Sequence, residues 1–325
     1  MSTSTHVHDC LMELPDRIAQ KEIRDLCIVN NKKAISAICV EWLTIAAAII
    51  LCQKYWHPGF YVLTVMIIGA RQHALLVILH DASHYILLTN RKWNDWVGNI
   101  LLGWPNFVPV QGFRFFHSEH HRHLNTELDG NRELWDTHNE FGELKNLWRF
   151  PRTWAGMAGV LFQRLLTGTG VLWIFRGILA MLVPSARKRI GYPFAQAASQ
   201  LIFYLTLSLI FTYTDTWKEV LLYWIVPYCT WHTFIQYIRI ICEHSAIKCA
   251  EEPYHMTRTT IPHLIERLFI LPRNIGYHHE HHWHPAVPFY NLPELHQRLA
   301  QKTNFGVLGN VTNSVFQSLR ECVTT

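Results

Sequence analysis

The sequence predicts an all-α integral membrane protein: four transmembrane helices in two hairpins, with a cytosolic helical cap that carries three histidine clusters. Half of the 325 residues are hydrophobic, and they are gathered into blocks about as long as a helix that crosses a bilayer. The net charge is only +5, and the cations flank apolar blocks, which argues against a nucleic-acid partner. The eight cysteines are scattered, which favours free thiols over a disulfide framework.

Two pairs of apolar blocks predict the two hairpins. The first pair covers about 34–51 and 59–79, and the second covers about 194–213 and 220–238. The turn within each pair is short, so the paired helices are expected to run antiparallel.

Two other apolar stretches, 97–110 and 155–183, are interrupted by glycine, proline or arginine. We expect both to lie in or against the membrane interface. The second stretch is also long enough to form a span.

Lysine and arginine predict the orientation, because loops that face the cytoplasm carry an excess of both. The two short turns hold only Lys54 and Lys218, whereas almost all the other cations lie in the termini and the long middle segment. Both termini and both large polar segments are therefore expected in the cytosol. The predicted division is a cytosolic arm at 1–33, a membrane domain at 34–300 and a C-terminal tail at 301–325.

Three histidine clusters fall on this predicted cytosolic side. The first, H-D-A-S-H at 80–84, has two histidines four residues apart, which share one face of a helix. The second, H-S-E-H-H at 117–121, and the third, H-H-E-H-H at 278–282, repeat one H-x-x-H-H spacing. Because neutral imidazole is a good ligand for transition metals, this recurrence indicates a shared metal site.

Spacing within the clusters, together with a histidine just past the fourth predicted span, selects nine candidate metal ligands: His80, His84, His117, His120, His121, His244, His278, His281 and His282. Nine imidazoles are too many for one metal and suit two. Zinc remains open, but a site without thiolates and with so many nitrogens favours a redox-active pair such as iron. Four carboxylates beside these histidines would offset charge and orient the rings: Asp81, Glu119, Glu243 and Glu280.

The three clusters on four predicted spans resemble the histidine boxes of the membrane fatty acid desaturases and their hydroxylase relatives. Thr257-Arg258-Thr259, N-x-x-Y-H-x-E-H-H at 274–282 and P-x-Y-x-L-P-E-L-H at 288–296 are similar to the acyl-lipid type. The resemblance covers about Arg71 to Leu299. It also suggests that Asn274 supports the ligands from outside the metal centre.

The resemblance implies two iron ions, O₂ as co-substrate, and the removal of hydrogen from a methylene pair of an acyl chain to give a double bond. A membrane lipid or other acyl substrate is expected. No donor domain is visible in the sequence, so a separate ferredoxin or cytochrome b5 is implied. The short chain favours a bacterial inner membrane over the endoplasmic reticulum, with the active site in the cytosol.

Two other functions remain open. A lipid hydroxylase or carotenoid ketolase of the same superfamily uses similar boxes. A non-catalytic protein that transports or senses metal is the alternative from another class. Transport predicts ionisable groups at mid-depth along the spans, whereas these histidines collect beyond the helix ends.

Aromatic residues near the first two boxes are candidates for lining an acyl channel, namely Trp104, Phe107, Phe113 and Phe116. The competing interpretation is that they pack and anchor the protein at the interface. This alternative is favoured, because most interfacial aromatics have that role.

Arg71 is a further channel candidate with a structural alternative. A cation inside a span costs on the order of 2.5–3.5 kcal/mol on insertion scales and usually has a partner. Glu41 in the first span and Arg71 in the second would lie at similar depth if the two helices are antiparallel. We therefore predict a buried Arg71–Glu41 pair, with a contact to a polar group of the substrate as the other role.

Overall fold

The computed structural model describes residues 20–126, 128–129, 135–138, 144–148, 153–166, 168–247 and 253–324. Residues 1–19 of the predicted N-terminal arm lie outside these ranges. Within the described residues the protein is helical apart from two short ribbons, and the all-α prediction is confirmed. In one ribbon β1 (Trp135–His138) pairs antiparallel with β2 (Leu144–Trp148), and in the other β3 (Thr259–Thr260) pairs in parallel with β4 (Val311–Thr312).

A short helix, α1 (Gln20–Leu26), precedes the first hairpin of α2 (Asn31–Lys54) and α3 (Pro58–Ser83). Asn30 begins α2, because its side chain accepts a hydrogen bond from the N–H of Lys33 at 3.1 Å. His57 caps α3 in the same way through Gly59 at 3.1 Å. Proline at the first position of α3 suits a helix start, since its missing N–H has no partner there in any case.

The stretch 97–110 forms no span. After α4 (Arg91–Val97), the chain makes a π-helical turn at Gly98–Gly103 and a 3₁₀ turn at Trp104–Asn106, and then enters α5 (Val110–Arg122). Asn99 holds the start of α5 by accepting from the N–H of Val110 at 2.8 Å. The broken apolar stretch therefore places the second histidine cluster beside the end of α3.

The stretch 155–183 forms α6 (Trp154–Leu166) and α7 (Thr169–Leu182), followed by α8 (Pro184–Arg189). The axes of α6 and α7 differ by 55°, and together they are long and apolar enough for one broken span or a re-entrant loop.

The segment predicted as the second hairpin forms α9 (Phe194–Tyr213) and a helical stretch that runs from Trp217 to His244. Two π-helical turns, Leu221–Ile225 and Tyr228–His232, lie between α10 (Trp217–Val220) and α11 (Thr233–His244). At 1.5 Å per residue this stretch is about 40 Å long, and it contains the fourth predicted span.

Length and hydropathy identify membrane-spanning helices among the described residues. α2, α3 and α9 each meet both criteria, and the bent α6–α7 pair is a fourth candidate. Apolar side chains of these helices, such as Leu43, Val62 and Leu209, are exposed, as lipid-facing residues should be. The chain is a multi-pass membrane protein.

Gly69 allows α3 to cross the second hairpin at close range. A Cβ at this position would lie 2.9 Å from the backbone N of His232 and 2.9 Å from Cβ of Trp231. No side chain fits there without a shift of one helix, so glycine sets the distance between the two hairpins.

The predicted Arg71–Glu41 pair is confirmed. Arg71 Nη1 lies 3.1 Å from Oε2 of the fully buried Glu41. The other oxygen of Glu41 accepts from Arg273 Nε, and Arg71 also donates to the carbonyl of Leu268. The carboxylate of Glu41 thus pairs with two cations, Arg71 and Arg273. The sequence did not predict the second partner, Arg273.

Residues 253–324 form a helical cap on the side where α3 and α11 end. Its elements are a 3₁₀ turn at Pro253–His255, α12 (Leu264–Phe269), α13 (His278–Trp283), α14 (Leu292–Lys302), α15 (Phe305–Leu308) and α16 (Val315–Thr324). α1 packs on this cap through an apolar cluster that contains Leu26, Leu295 and Phe305. The helix α14 runs across the predicted boundary between the membrane domain (34–300) and the tail (301–325).

Candidate metal centre

Nine histidines from α3, α5, α11 and α13 meet in two groups, and they are the nine that spacing selects. The five-histidine group comprises His80, His84, His117, His121 and His281. The four-histidine group comprises His120, His244, His278 and His282. Within each group, one ring nitrogen from every residue lies within 4.8 Å of the others.

The repeated H-x-x-H-H spacing has a geometric meaning. On α5, His117 and His121 are one turn apart and enter the five-histidine group, while His120 enters the four-histidine group. On α13, His278 and His282 enter the four-histidine group, while His281 enters the five-histidine group. Each helix therefore gives a pair of rings to one group and a single ring to its neighbour.

The nitrogen spacing within the five-histidine group fits a metal polyhedron. His121 Nε2 lies 3.0 Å from His117 Nε2 and 2.9 Å from His281 Nε2. Two nitrogens at about 2.1 Å from one metal and at right angles to each other are about 3.0 Å apart. The Nε2 atoms of His80 and His84 are buried without a hydrogen-bond partner, and a metal ion would satisfy them.

The four-histidine group has matching spacing around His278. Its Nε2 lies 2.9 Å from His244 Nε2 and 3.0 Å from His282 Nε2. His120, His244 and His278 are each no more than 3% exposed. The two groups are alike in ligand type, the four-histidine group is the more buried, and the donor set fits a pair of transition-metal ions.

Burial keeps these rings in the form that binds metal. The pKa values of His278, His281 and His282 lie well below the usual value, mainly because burial removes water from the rings. Repulsion from neighbouring histidines lowers them further. The same causes lower the pKa of His121 to about 3. The rings are therefore neutral at pH 7, and each offers a lone pair to a metal.

Two carboxylates lie against rings of the four-histidine group. His120 Nδ1 donates to Oδ2 of the buried Asp129 at 2.7 Å. Glu243 Oε1 lies 3.4 Å from His278 Nδ1 and accepts from Arg239 Nε at 2.6 Å. The hydrogen bond at Nδ1 of His120 directs its Nε2 toward a metal, whereas the longer contact between Glu243 and His278 is not a hydrogen bond. Glu243 was among the predicted carboxylates, whereas Asp129 lies outside every box and no spacing marked it.

Asp81 and Asn274 both bond to the backbone of Phe289. Asp81 Oδ2 accepts from the N–H of Phe289 at 3.0 Å, and Asn274 Nδ2 donates to the carbonyl of Phe289 at 3.0 Å. Asp81 Oδ1 is 3.7 Å from His80 Nδ1. These contacts join the first box to the chain that follows the third box.

Glu280 and Glu119 have different surroundings. Glu280 is buried, and it accepts from Thr259 Oγ1 at 2.7 Å and from His296 Nδ1 at 2.5 Å. Glu119 is partly exposed and pairs with Arg122. Glu280 thus ties α13 to the chain on either side of it, whereas the ion pair of Glu119 lies at the surface.

The aromatic channel candidates are spread out. The ring of Phe113 lies 5.5 Å from that of His117 and 6.1 Å from that of His80. Trp104 is buried and donates to Tyr192, Phe107 packs on Tyr228, and Phe116 is 45% exposed. Of these four, Phe113 is the one whose ring contacts the five-histidine group.

The family model described as fatty acid desaturase matches residues 56–308, which include all three boxes and His244. The chain belongs to the fatty acid desaturase family. It is a membrane oxidoreductase of that family, and its two histidine groups fit a diiron site.

Named desaturases from bacteria and plants are similar to it. The dihydrorhizobitoxine desaturase of Bradyrhizobium elkanii is 28% identical over 85% of this chain and 77% of its own length. The chloroplastic omega-6 fatty acid desaturase of Spinacia oleracea is 24% identical over 96% of this chain and 70% of its own. The sn-1 acyl-lipid omega-3 desaturase (ferredoxin) of a Nostoc strain is 23% identical over 83% of this chain and 71% of its own.

Proposed function

We propose that the protein is an O₂-dependent desaturase that converts a methylene pair of a lipid acyl chain into a double bond. The observation that carries this proposal is the sorting of nine histidine rings into two adjacent groups, each of which takes rings from both α5 and α13. A metal-buffering surface has no need of such an arrangement.

Each group has a defined part in the proposal. The five-histidine group would hold one iron and the four-histidine group the other. When bound, the iron pair supplies the oxidising power that an unactivated C–H bond requires, because acid–base groups cannot remove that hydrogen. Asp129 orients the ring of His120 in the four-histidine group, and Glu243 places a carboxylate beside His278.

Position relative to the bilayer supports an acyl substrate. His80 and His84 lie at the end of α3, a candidate membrane span, so the proposed centre would lie close to the acyl chains of the bilayer. Phe113 faces the same group and helps to exclude water there. The relatives from Spinacia oleracea and the Nostoc strain carry names that refer to fatty acids and acyl lipids.

The proposed reaction also consumes electrons, which a donor has to supply. One relative carries ferredoxin in its name, and we infer a ferredoxin or cytochrome b5 as the donor for this chain. The lysine and arginine distribution supports a cytosolic location for the histidine side of the protein. A bacterial inner membrane is the proposed location.

Lipid analysis of a host that expresses the gene tests this function. We expect acyl chains that are lighter by two hydrogens, and none of this product from His281→Ala. His123→Ala is the matched control, because His123 follows the second box but belongs to neither group, and it should retain the product. A product heavier by one oxygen would show that the protein is a hydroxylase and not a desaturase. An unchanged lipid profile together with iron-free protein would exclude both reactions.

A further inference from the structure

The Thr257-Arg258-Thr259 motif has a contact that the proposed function does not use. Arg258 is fully buried, and its Nη1 lies 3.4 Å from the carbonyl of Ile241 and 3.2 Å from that of Cys242. These carbonyls belong to the last turn of α11, which ends at His244. A cation at a helix C-terminus satisfies carbonyls that have no helical partner and interacts favourably with the helix dipole.

The charge of Arg258 is balanced from the far end of the chain. Its Nη2 lies 3.0 Å from Oε2 of Glu321 on α16. A guanidinium without access to water needs an anionic partner, since an unpaired buried charge is strongly destabilising. The last helix of the cap therefore neutralises the cation that closes α11.

Backbone and side-chain hydrogen bonds fix this helix in place. The N–H of Thr259 donates to the carbonyl of Asn310 at 2.9 Å, and that of Ile261 donates to Thr312 at 2.8 Å. Ser318 Oγ on α16 lies 3.0 Å from Thr260 Oγ1 and 2.7 Å from Thr312 Oγ1. Residues 310–324, which we call the C-terminal segment, are thus attached directly to the motif.

The opposite side of the motif contacts the third histidine box. Thr259 Oγ1 donates to Glu280 at 2.7 Å, and Thr257 Oγ1 lies 3.1 Å from His279 Nδ1. The motif therefore lies between α11, α13 and the C-terminal segment. Three of the four residues in the four-histidine group are on α11 and α13, whereas the five-histidine group takes only His281 from them.

We propose that Arg258, held by Glu321, is a positioning residue for His244, so that iron binding in the four-histidine group depends on the C-terminal segment. The proposal rests on the assignment of the nine histidines as iron ligands. It applies equally whether the product is an alkene or an alcohol.

Glu321→Gln in the full-length purified protein is the direct test. The substitution preserves shape and leaves the buried Arg258 without its anion. We expect iron affinity in the four-histidine group to fall about 10-fold, the lower end of the range for groups that support metal ligands, because Glu321 acts through Arg258; the five-histidine group should stay filled. Iron content measured over a titration, with Mössbauer spectra of ⁵⁷Fe, gives the occupancy of each group.

Reference variants assign the spectral components. His84→Ala removes one ligand from the five-histidine group, and His282→Ala removes one from the other. Glu294→Gln is the matched control, because Glu294 pairs with Arg298 on the exposed face of the same cap. It should leave both components at their original strength.

A second variant covers the case in which Glu321→Gln does not fold. Arg258→Lys retains the charge opposite Glu321 but replaces a forked group of donors with a single ammonium. We expect a folded protein with partial loss of the four-histidine component. Full occupancy of both groups in either variant, or an equal loss from both groups, would overturn the proposed role of Arg258. Wild-type protein that binds fewer than two irons would instead refute the diiron assignment.

Discussion

His120 Nδ1 donates a hydrogen bond to Oδ2 of Asp129 across 2.7 Å, and both side chains are buried. The bond fixes which nitrogen carries the proton, and it leaves Nε2 to face the four-histidine group. A residue outside the boxes therefore decides how a ring inside a box is presented to metal.

Asp129→Asn should lower iron affinity in the four-histidine group, or turnover, by about 10- to 100-fold. The amide keeps the shape but loses the charge that favours the required tautomer. Glu119→Gln is the control, because Glu119 lies on the same helix as His120 and pairs with Arg122 at the surface. Equal effects of the two substitutions in an iron titration would show that Asp129 has no special role.

Glu41→Gln should destabilise the protein more than Arg71→Gln does. The first substitution leaves Arg71 and Arg273 together without their carboxylate, at a cost of about 3–5 kcal/mol for breaking a buried pair. The second leaves Glu41 paired with Arg273. Unfolding in detergent measures the difference. A loss of turnover in Arg71→Gln with unchanged stability in Glu41→Gln would instead favour a substrate contact for Arg71.

Gly69→Ala should lower stability by about 1–3 kcal/mol, the usual cost of overpacking. The new Cβ would press on the backbone of His232 and on Trp231. Gly159→Ala is the control, since its Cβ meets nothing within 4 Å, and helix propensity predicts a neutral or slightly stabilising effect. A similar unfolding temperature for the two variants would argue against the close helix crossing.

Acid should destabilise the metal-free protein. Burial lowers the pKa of His121 to about 3 in the folded state, whereas a histidine in the unfolded chain has a pKa of about 6.5. Below that pH the unfolded state binds protons that the folded state does not, so stability falls as the pH decreases from ~6.5. The unfolding temperature of chelator-treated protein should therefore drop between pH 7.5 and 5, and His121→Gln should reduce the slope. An unfolding temperature independent of pH would contradict the burial of neutral rings.

Much of the site could be predicted from local sequence, because ligand spacing and span length are local properties. Two histidines four residues apart share a helix face in any fold, and an apolar block long enough to cross a bilayer is recognisable by composition. The Arg71–Glu41 pair followed from depth along two antiparallel helices.

Contacts made by tertiary packing had no such signal. The partition of the rings into two groups depends on how α5 packs against α13, and the sequence of neither helix predicts that orientation. Asp129 reaches His120 from a loop, and Glu321 reaches Arg258 from the end of the chain. A carboxylate in a loop or tail looks the same in sequence whether it faces solvent or a buried partner.

The most direct test of the central claim is X-ray absorption at the iron edge of the purified protein, combined with iron analysis. Two irons per chain with nitrogen neighbours at about 2.1 Å are predicted, and substitution of His281 should remove ligands from the five-histidine group. One iron or none per chain, or a coordination sphere dominated by sulfur, would contradict a diiron centre held by these nine histidines.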